Sequence, residues 1–598
     1  MQSGAPRWQT TWWVAPLLAA LLAASPAGAQ TVTLDVSPAV RHQTIDGFGA
    51  CCGVLGSQDW YARLFLDDAG FSILRMDITP IFSAKYAHLH YCSAWFGQAE
   101  PLSLDNGGKG PDGRRARTYS GPEDYSRRFG GCSAPIAVMG PDIDANVRAF
   151  DYGQAAVSGA GTLARRGTSM RKSLGDFKLY ASVWSPAPWL KVKSGNTYGA
   201  QDSAPLPAAG TPFPFIWGGN FAGGVLDVSD VPRAEFDDSS MGGKGPTSAL
   251  TQFARGLAAY LRGFQNTFGV RFYAISIQNE LSFEQFYNSA RYPLSSDYIK
   301  ALVAARAELD KYADLAGIRI AGPEDVIGDS PYQLWQLARG TDISHKNLQF
   351  IARVQSDPAA AAALSFFNVH GYAADGVSSG GTNPTAWDWW ANGWAASPAA
   401  GLPANVKGFS SFGKKSWMTE TSGENPAWRS PATGFPGNGA WSLVLKIHQA
   451  LTVGNQSAWL YWQLADGEAV RGESLTDRTL GTQSPKFVAL KHFARYIRPG
   501  SVRVDAAVSG SATMAASAFI HEADGTLTLV LINETAQPAN VTVRAPAALP
   551  GLTSFEVRTS SDGSYWQRST ATLIAGAVSV PVPGYGVVTL HGSGTEKR

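Results

Sequence analysis

Between residue 45 and about residue 490, short and nearly continuous apolar runs alternate with stretches of helical spacing. The runs are Ile45–Ala50, Phe71–Ile78, Phe177–Trp184, Phe272–Gln278, Gly317–Gly322, Leu364–Tyr372, Ser416–Thr419 and Ser457–Trp462. Runs of this length with no polar face suit strands buried on both sides, as in a parallel sheet covered by helices. In the segment Ser296–Tyr312, residues Tyr298, Leu302, Ala305 and Leu309 share one helical face, with Ser296 and Asp297 as candidate caps. Eight strand–helix units predict an α/β fold, a (β/α)8 TIM barrel over residues 45–497. A doubly wound open sheet competes with it. That fold uses fewer strands and a Gly-rich dinucleotide turn, and no GxGxxG follows a strand here.

Two segments interrupt the regular spacing, Pro80–Pro141 after the second strand and Pro186–Pro246 after the third. Both are rich in Gly, Pro, Ser and aromatics, and loops after strands lie at the catalytic face of such a barrel. From about residue 498 the period changes to two. Leu527, Leu529 and Leu531 alternate with Thr526 and Thr528, and further alternating runs occupy 555–559, 572–574, 578–582 and 587–590. This predicts an appended antiparallel β-sandwich over 498–598. The strand-like Val32–Val36 precedes the barrel, so the sandwich is expected to draw on both chain ends, with residues 30–44 supplying its first strand.

Arg7, the apolar run Trp12–Ala24 and Ala27-Gly28-Ala29 read as a signal peptide over residues 1–29, which implies a secreted or periplasmic protein. No later stretch has the roughly 18 continuous apolar residues of a spanning helix, so no stable membrane insertion is expected. The net charge is +2 and no basic stripe is present, which argues against nucleic acid. Export permits disulfides, and Cys51 and Cys52 are each expected to bond one of Cys92 and Cys132. The four cysteines form no CxxC pair, and no metal and no cofactor are expected. Nineteen tryptophans include several in Gly-rich, polar surroundings, among them Trp387, Trp389, Trp390, Trp394 and Trp428. These are expected to be exposed, where flat rings suit the apolar faces of sugars.

In a barrel, polar residues at the C-terminal ends of strands carry the chemistry. Here these are Arg75 and Asp77, Trp184, Gln278-Asn279-Glu280, Asn368, His370 and Tyr372, Thr419-Glu420-Thr421, and Trp462 with Gln463. Glu280 ends the fourth strand and Glu420 the seventh, and strands three apart face each other across the mouth. Two carboxyls so placed can flank one glycosidic bond. At about 5 Å separation one is nucleophile and the other alternates as acid and base, with a pKa that the neighbouring charge helps to raise. Asn279 suits a hydrogen bond to a sugar 2-hydroxyl. Glu284 and Glu424, four residues beyond each candidate, are rivals expected to lie out in the loops.

These segments resemble glycoside hydrolase family 30. Thr44-Ile45-Asp46-Gly47-Phe48-Gly49-Ala50 is similar to its opening strand, and Trp184-Ser185-Pro186-Ala187-Pro188-Trp189-Leu190-Lys191 to its strand-three signature. Ser276–Glu280 resembles the acid/base segment and Trp417–Glu420 the nucleophile segment. The resemblance implies Glu280 as acid/base, Glu420 as nucleophile, and a barrel fused to a sandwich made from both chain ends. Arg75, Asp77, Trp184, Asn279, His370, Tyr372 and Trp462 are the candidate substrate-binding residues. Two departures stand out: Leu281 where members often have Pro, and Ala465–Arg478, which lacks the tyrosine pattern of the glucuronoxylan-cleaving branch although Arg471 could meet an acid group.

The expected activity is retaining hydrolysis of a β-glycosidic bond, in a polysaccharide of β-1,6-glucan, galactan or xylan type, by a monomer. The alternatives are a glucosylceramidase-like exo-β-glycosidase and a non-catalytic carbohydrate-binding barrel. The latter would not require a carboxylate pair.

Overall fold

The computed structural model describes residues 32–594 apart from 79–136, 193–224, 282–288, 293, 327–335, 338–343, 346–347, 373–388, 399, 401–403, 405, 431–438, 466–472, 547–548 and 550. All eight expected strands form. They span Gly47–Cys51, Ile73–Ile78, Lys178–Val183, Phe272–Ser276, Arg319–Val326, Leu364–His370, Ser416–Glu420 and Ala458–Gln463. Each pairs in parallel with its neighbours, and the eighth closes on the first, with Trp459 opposite Phe48. The open sheet is thereby excluded. Strand three is buried along its whole length, which is what an apolar run without alternation encodes.

Inside the barrel, Ile73, Tyr180, Ala274, Ala321, Phe366, Trp417, Ala458 and Leu460 form a closed layer. Trp417 fills its centre, with its ring 4.6 Å from Phe366 and 5.8 Å from Tyr180. A mixture of small residues and one large ring closes the bore, so the site above rests on a solid floor. Outside, the helix Ala249–Phe268 is typical of the covering layer. Ser248 caps its first turn by accepting from Thr251 N, and Gly269 ends it in a left-handed conformation. The helix expected from Ser296 runs Ser295–Leu309 and has no side-chain cap.

Nine further strands form one sheet with its own apolar core of Val, Leu, Ile and Phe, and six short ones pair as three two-stranded ribbons. The N-terminal strand Val32–Thr44 pairs antiparallel with Val502–Ser509, Thr33 facing Ser509. Its other edge pairs in parallel with Ala539–Arg544, Val32 facing Val541, so the sandwich is not purely antiparallel as expected. The strands Val502–Ser509, Met514–His521 and Ala539–Arg544 add to those expected from alternation.

Three of the tryptophans expected to be exposed are buried. Trp394 donates to Ser416 Oγ at 3.1 Å and packs on Phe409 and Trp390. Trp428 reaches from the loop after strand seven into the sandwich, donates to the Tyr585 carbonyl at 2.8 Å and packs on Tyr565. Burial of rings this large outweighs the polar, Gly-rich sequence around them. Trp387 and the ring of Trp389 lie outside the described residues, as do Cys92, Cys132, Glu284, Arg471, the signal-peptide segment and most of both insertions. Cys51 and Cys52 form no bridge among the described residues, and the expected bridges to Cys92 and Cys132 fall outside them. No helix among the described residues is long and apolar enough to cross a membrane.

Candidate active site

The parallel register brings the chemistry-bearing strand ends to one level. Cys51 faces Arg75, Asp77 faces Ser182, and His370 faces Glu420. Arg75 has no exposed surface and organises the floor. Its Nε donates to Glu324 Oε1 at 2.9 Å and to Ser182 Oγ at 3.1 Å. Nη1 donates to Glu420 Oε2 at 2.5 Å and to Cys51 Sγ at 3.4 Å, and Nη2 donates to Asn279 Oδ1 at 2.5 Å. The guanidinium also lies 4.7 Å from the centre of the Trp184 ring. A planar fork of five donors suits this many-sided task, which a lysine could not perform.

Glu280 sits just past strand four with φ 49°, a left-handed conformation unusual for a side chain of this kind. Its N–H donates to the Glu324 carbonyl at 2.9 Å, and the Asn279 N–H to the Val183 carbonyl at 2.7 Å. Strands three and five therefore pin the turn, and strain held by its neighbours is a recurrent feature of functional sites. His370 Nδ1 is 2.9 Å from Glu280 Oε1, and its Nε2 is 3.6 Å from both Glu324 Oε1 and Glu420 Oε2. Tyr372 donates to Glu420 Oε1 at 2.8 Å. A carboxylate oxygen of Glu280, one of Glu420 and a ring nitrogen of His370 all lie within 4.8 Å of one another.

Electrostatics follow from this crowding. Burial opposes charge on His370, yet Glu420, Glu280 and Glu324 outweigh it and raise the imidazole to about 9. Burial would likewise lift Glu324, but Arg75 and His370 hold its carboxyl down to about 2. Burial raises the Glu420 carboxyl above its ordinary value, while His370 and Arg75 pull it back and Glu280 pushes it up again. Burial and the adjacent carboxylates keep the Tyr372 phenol protonated, as a donor must be.

Of the residues expected from sequence, Arg75, Asn279, Glu280, His370, Tyr372 and Glu420 meet in one network. Trp184 and Trp462 stand beside it with rings 5.8 Å apart. Asp77 lies two residues beyond Arg75 on the same strand, with its carboxyl raised by burial, and makes no hydrogen bond to the cluster among the described residues. Glu424 lies in the loop after strand seven, as expected, but is turned inward. It is fully buried, accepts from Tyr461 at 2.5 Å and pairs with Lys446 at 3.2 Å, which makes it part of the scaffold. Glu324 was not among the expected residues. The fifth strand continues through Pro323 to Val326, and the carboxylate following that proline was the available signal.

Glu280, His370 and Glu420 are also the one set of donors with metal-ligand spacing among the described residues. The Arg75 guanidinium, 3.4 Å from His370 Nε2, already faces this pocket, and its fixed positive charge opposes an added cation.

Comparison with known proteins agrees with the fold. Residues 500–590 match the model described as the glycosyl hydrolase family 30 beta sandwich domain. That match is confined to this C-terminal stretch. A glucuronoxylanase, XynC of Bacillus subtilis (strain 168), is 30% identical over 126 residues, covering 20% of this chain and 26% of that protein. A family 30 subfamily 8 xylanase, Xyn30A from Clostridium acetobutylicum, aligns with a TM-score of 0.57 at 18% identity, over 94% of this chain and 100% of that one. An endo-β-1,6-glucanase aligns with a TM-score of 0.53 at 16% identity, over 94% of each chain. At these identities the alignments establish a shared fold alone, a closed barrel with an appended sandwich.

Proposed function

We propose that this chain is a retaining glycoside hydrolase that cleaves β-linked polysaccharide, of xylan or β-1,6-glucan type, outside the cytoplasm. The observation carrying the reading is the approach of Glu280 and Glu420 carboxylate oxygens within 4.8 Å across the barrel mouth. Retaining pairs stand about 5–5.5 Å apart, whereas inverting pairs need about 6.5–9.5 Å to admit a water. In the first step Glu420 attacks the anomeric carbon while Glu280 passes its proton to the departing glycosidic oxygen. In the second, Glu280 takes a proton from water, which opens the glycosyl–Glu420 ester with net retention.

Arg75 and Tyr372 hold the two Glu420 oxygens in place for attack, and Asn279 lies where a sugar 2-hydroxyl would pass. Trp184 and Trp462 offer ring surface for the sugar face. The polymer preference rests on the long segments after strands two and three and on the activities named for the xylanase and glucanase neighbours. The reading of residues 1–29 as a signal peptide supports export.

Incubation with a panel of β-linked polysaccharides, with NMR detection of the first anomer released, tests the proposal. Retained configuration is expected, and inverted product overturns it. Glu420→Gln should abolish turnover with the fold intact. Glu280→Ala should be rescued by azide on a substrate with a good leaving group. Near-normal turnover by Glu420→Gln removes Glu420 from its role.

A further inference from the structure

Arg75 and His370 lie buried beneath the glutamate pair, and a third carboxylate lies with them. Glu324 has no exposed surface, so a substrate atom does not reach it. It accepts from Arg75 Nε at 2.9 Å and from Ser182 Oγ at 2.6 Å, and its Oε1 is 3.6 Å from His370 Nε2. Taking a carboxylate this far from water costs several kcal/mol before pairing repays it. Arg75 is also held by Glu420 and Asn279, so anchoring the arginine alone does not call for Glu324.

We propose that Glu324 is a positioning residue, the permanent counter-anion that keeps His370 protonated through both halves of a double displacement. The inference rests on the glycosidase reading above. Before attack, Glu420 is ionised and Glu280 carries the transferable proton, so Glu420 and Glu324 are two anions facing Arg75 and His370. During attack a bond forms between a Glu420 oxygen and the anomeric carbon as the glycosidic bond breaks. The proton of Glu280 goes to the departing oxygen. Glu420 is then a neutral ester and Glu280 an anion, so two anions still face two cations.

The negative charge has crossed from one glutamate to the other, and His370 lies between them. Its Nδ1 is 2.9 Å from Glu280 Oε1 and its Nε2 is 3.6 Å from Glu420 Oε2. Only a ring protonated at both nitrogens donates toward both ends of this path. Arg75 Nη2 stands 3.4 Å from Nε2, a close approach of two cations that works against that state. Glu324 offsets it, and it is the one carboxylate of the three whose charge the reaction leaves alone. The groups facing the imidazole are Glu280, Glu324, Glu420, Arg75 and the Tyr372 ring, with centroids 6.3 Å apart. The raised titration of His370 and the depressed one of Glu324 agree with this assignment.

Glu324→Gln keeps the shape and an accepting oxygen for Arg75, turns its amide N–H toward Ser182 Oγ, and removes the charge. The test follows the imidazole nitrogens of full-length protein by NMR across pH, with His370 assigned by its loss in His370→Asn. In wild type the His370 ring should be charged at pH 7. In Glu324→Gln its titration should move down by about one to three pH units, the usual effect of one adjacent opposite charge. The alkaline limb of kcat/KM should move with it. Ser182→Ala keeps the charge and should leave the titration in place. An unshifted His370 in folded Glu324→Gln overturns the proposal, and so does a neutral ring at pH 7 in wild type, which requires no variant. Absence of hydrolysis in wild type overturns the glycosidase reading instead, because the titration is read without turnover.

Discussion

Arg75→Met leaves an apolar stem of similar length and removes the guanidinium that five groups share. Glu324 and Glu420 are then left without their closest cation in a site with almost no water. Breaking a buried pair by deleting one partner costs about 3–5 kcal/mol. A cooperative unit of about 450 residues has an unfolding entropy near 0.9 kcal/mol per kelvin at about 2.1 cal/mol/K per residue. The melting temperature should therefore fall by about 3–5 °C at pH 7. With Arg75 gone, the carboxyls titrate at higher pH, and protonation relieves the uncompensated charge. The deficit should accordingly shrink between pH 7 and pH 4. Arg75→Lys should fall between the two, since one ammonium cannot reach Glu324, Glu420 and Asn279 together. Calorimetry of full-length protein at several pH values reads all three effects. A Met variant that melts within about 1 °C of wild type at pH 7, or whose deficit grows toward acid, would refute the reasoning.

Tyr372→Phe removes a donor to the Glu420 carboxylate, which favoured its ionised form, so the acid limb of kcat/KM should move to higher pH; an unmoved limb counts against that hydrogen bond. Trp428→Ala should cost about 3–5 kcal/mol and speed proteolysis at the seam between barrel and sandwich, and unchanged protease resistance would rule out a docking role. Glu324 titrates at about 2 against an ordinary 4.5, so its stabilisation is present above pH 4.5 and is lost as pH falls toward 2. His370 titrates at about 9 against an ordinary 6.5, so its contribution is complete below pH 6.5 and is lost as pH rises through 9. Thermal stability should therefore peak between these limits, and Glu324→Gln should flatten the acid flank; an unchanged flank would place the acid-labile group elsewhere.

The barrel was legible because each of its strands is an apolar run with the reactive residues concentrated at one end. Arg75, Glu280, His370 and Glu420 could be picked out by that rule alone. Glu324 escaped it because Pro323 reads as the end of a strand, whereas the fifth strand runs through it. The missed sandwich strands Val502–Ser509 and Met514–His521 carry several alanines and serines, which dilute the apolar alternation. Trp394 and Trp428 were misjudged for a different reason. Their burial comes from Phe409 and from Tyr565, and contacts with residues distant in the chain leave no local periodicity.

The N-terminal strand has a consequence for how this molecule comes into being. Thr33 pairs with Ser509 and Val32 with Val541, so the earliest-made strand of the described chain waits for strands made after the whole barrel. Contacts so distant in sequence form slowly, because a long loop must close first. A ribosome that stalls inside the barrel leaves residues 32–44 as an unpaired edge, open to proteases and to aggregation. The sheet thus acts as a checkpoint, latching its first strand only after the whole barrel and the strands up to Arg544 have been synthesised.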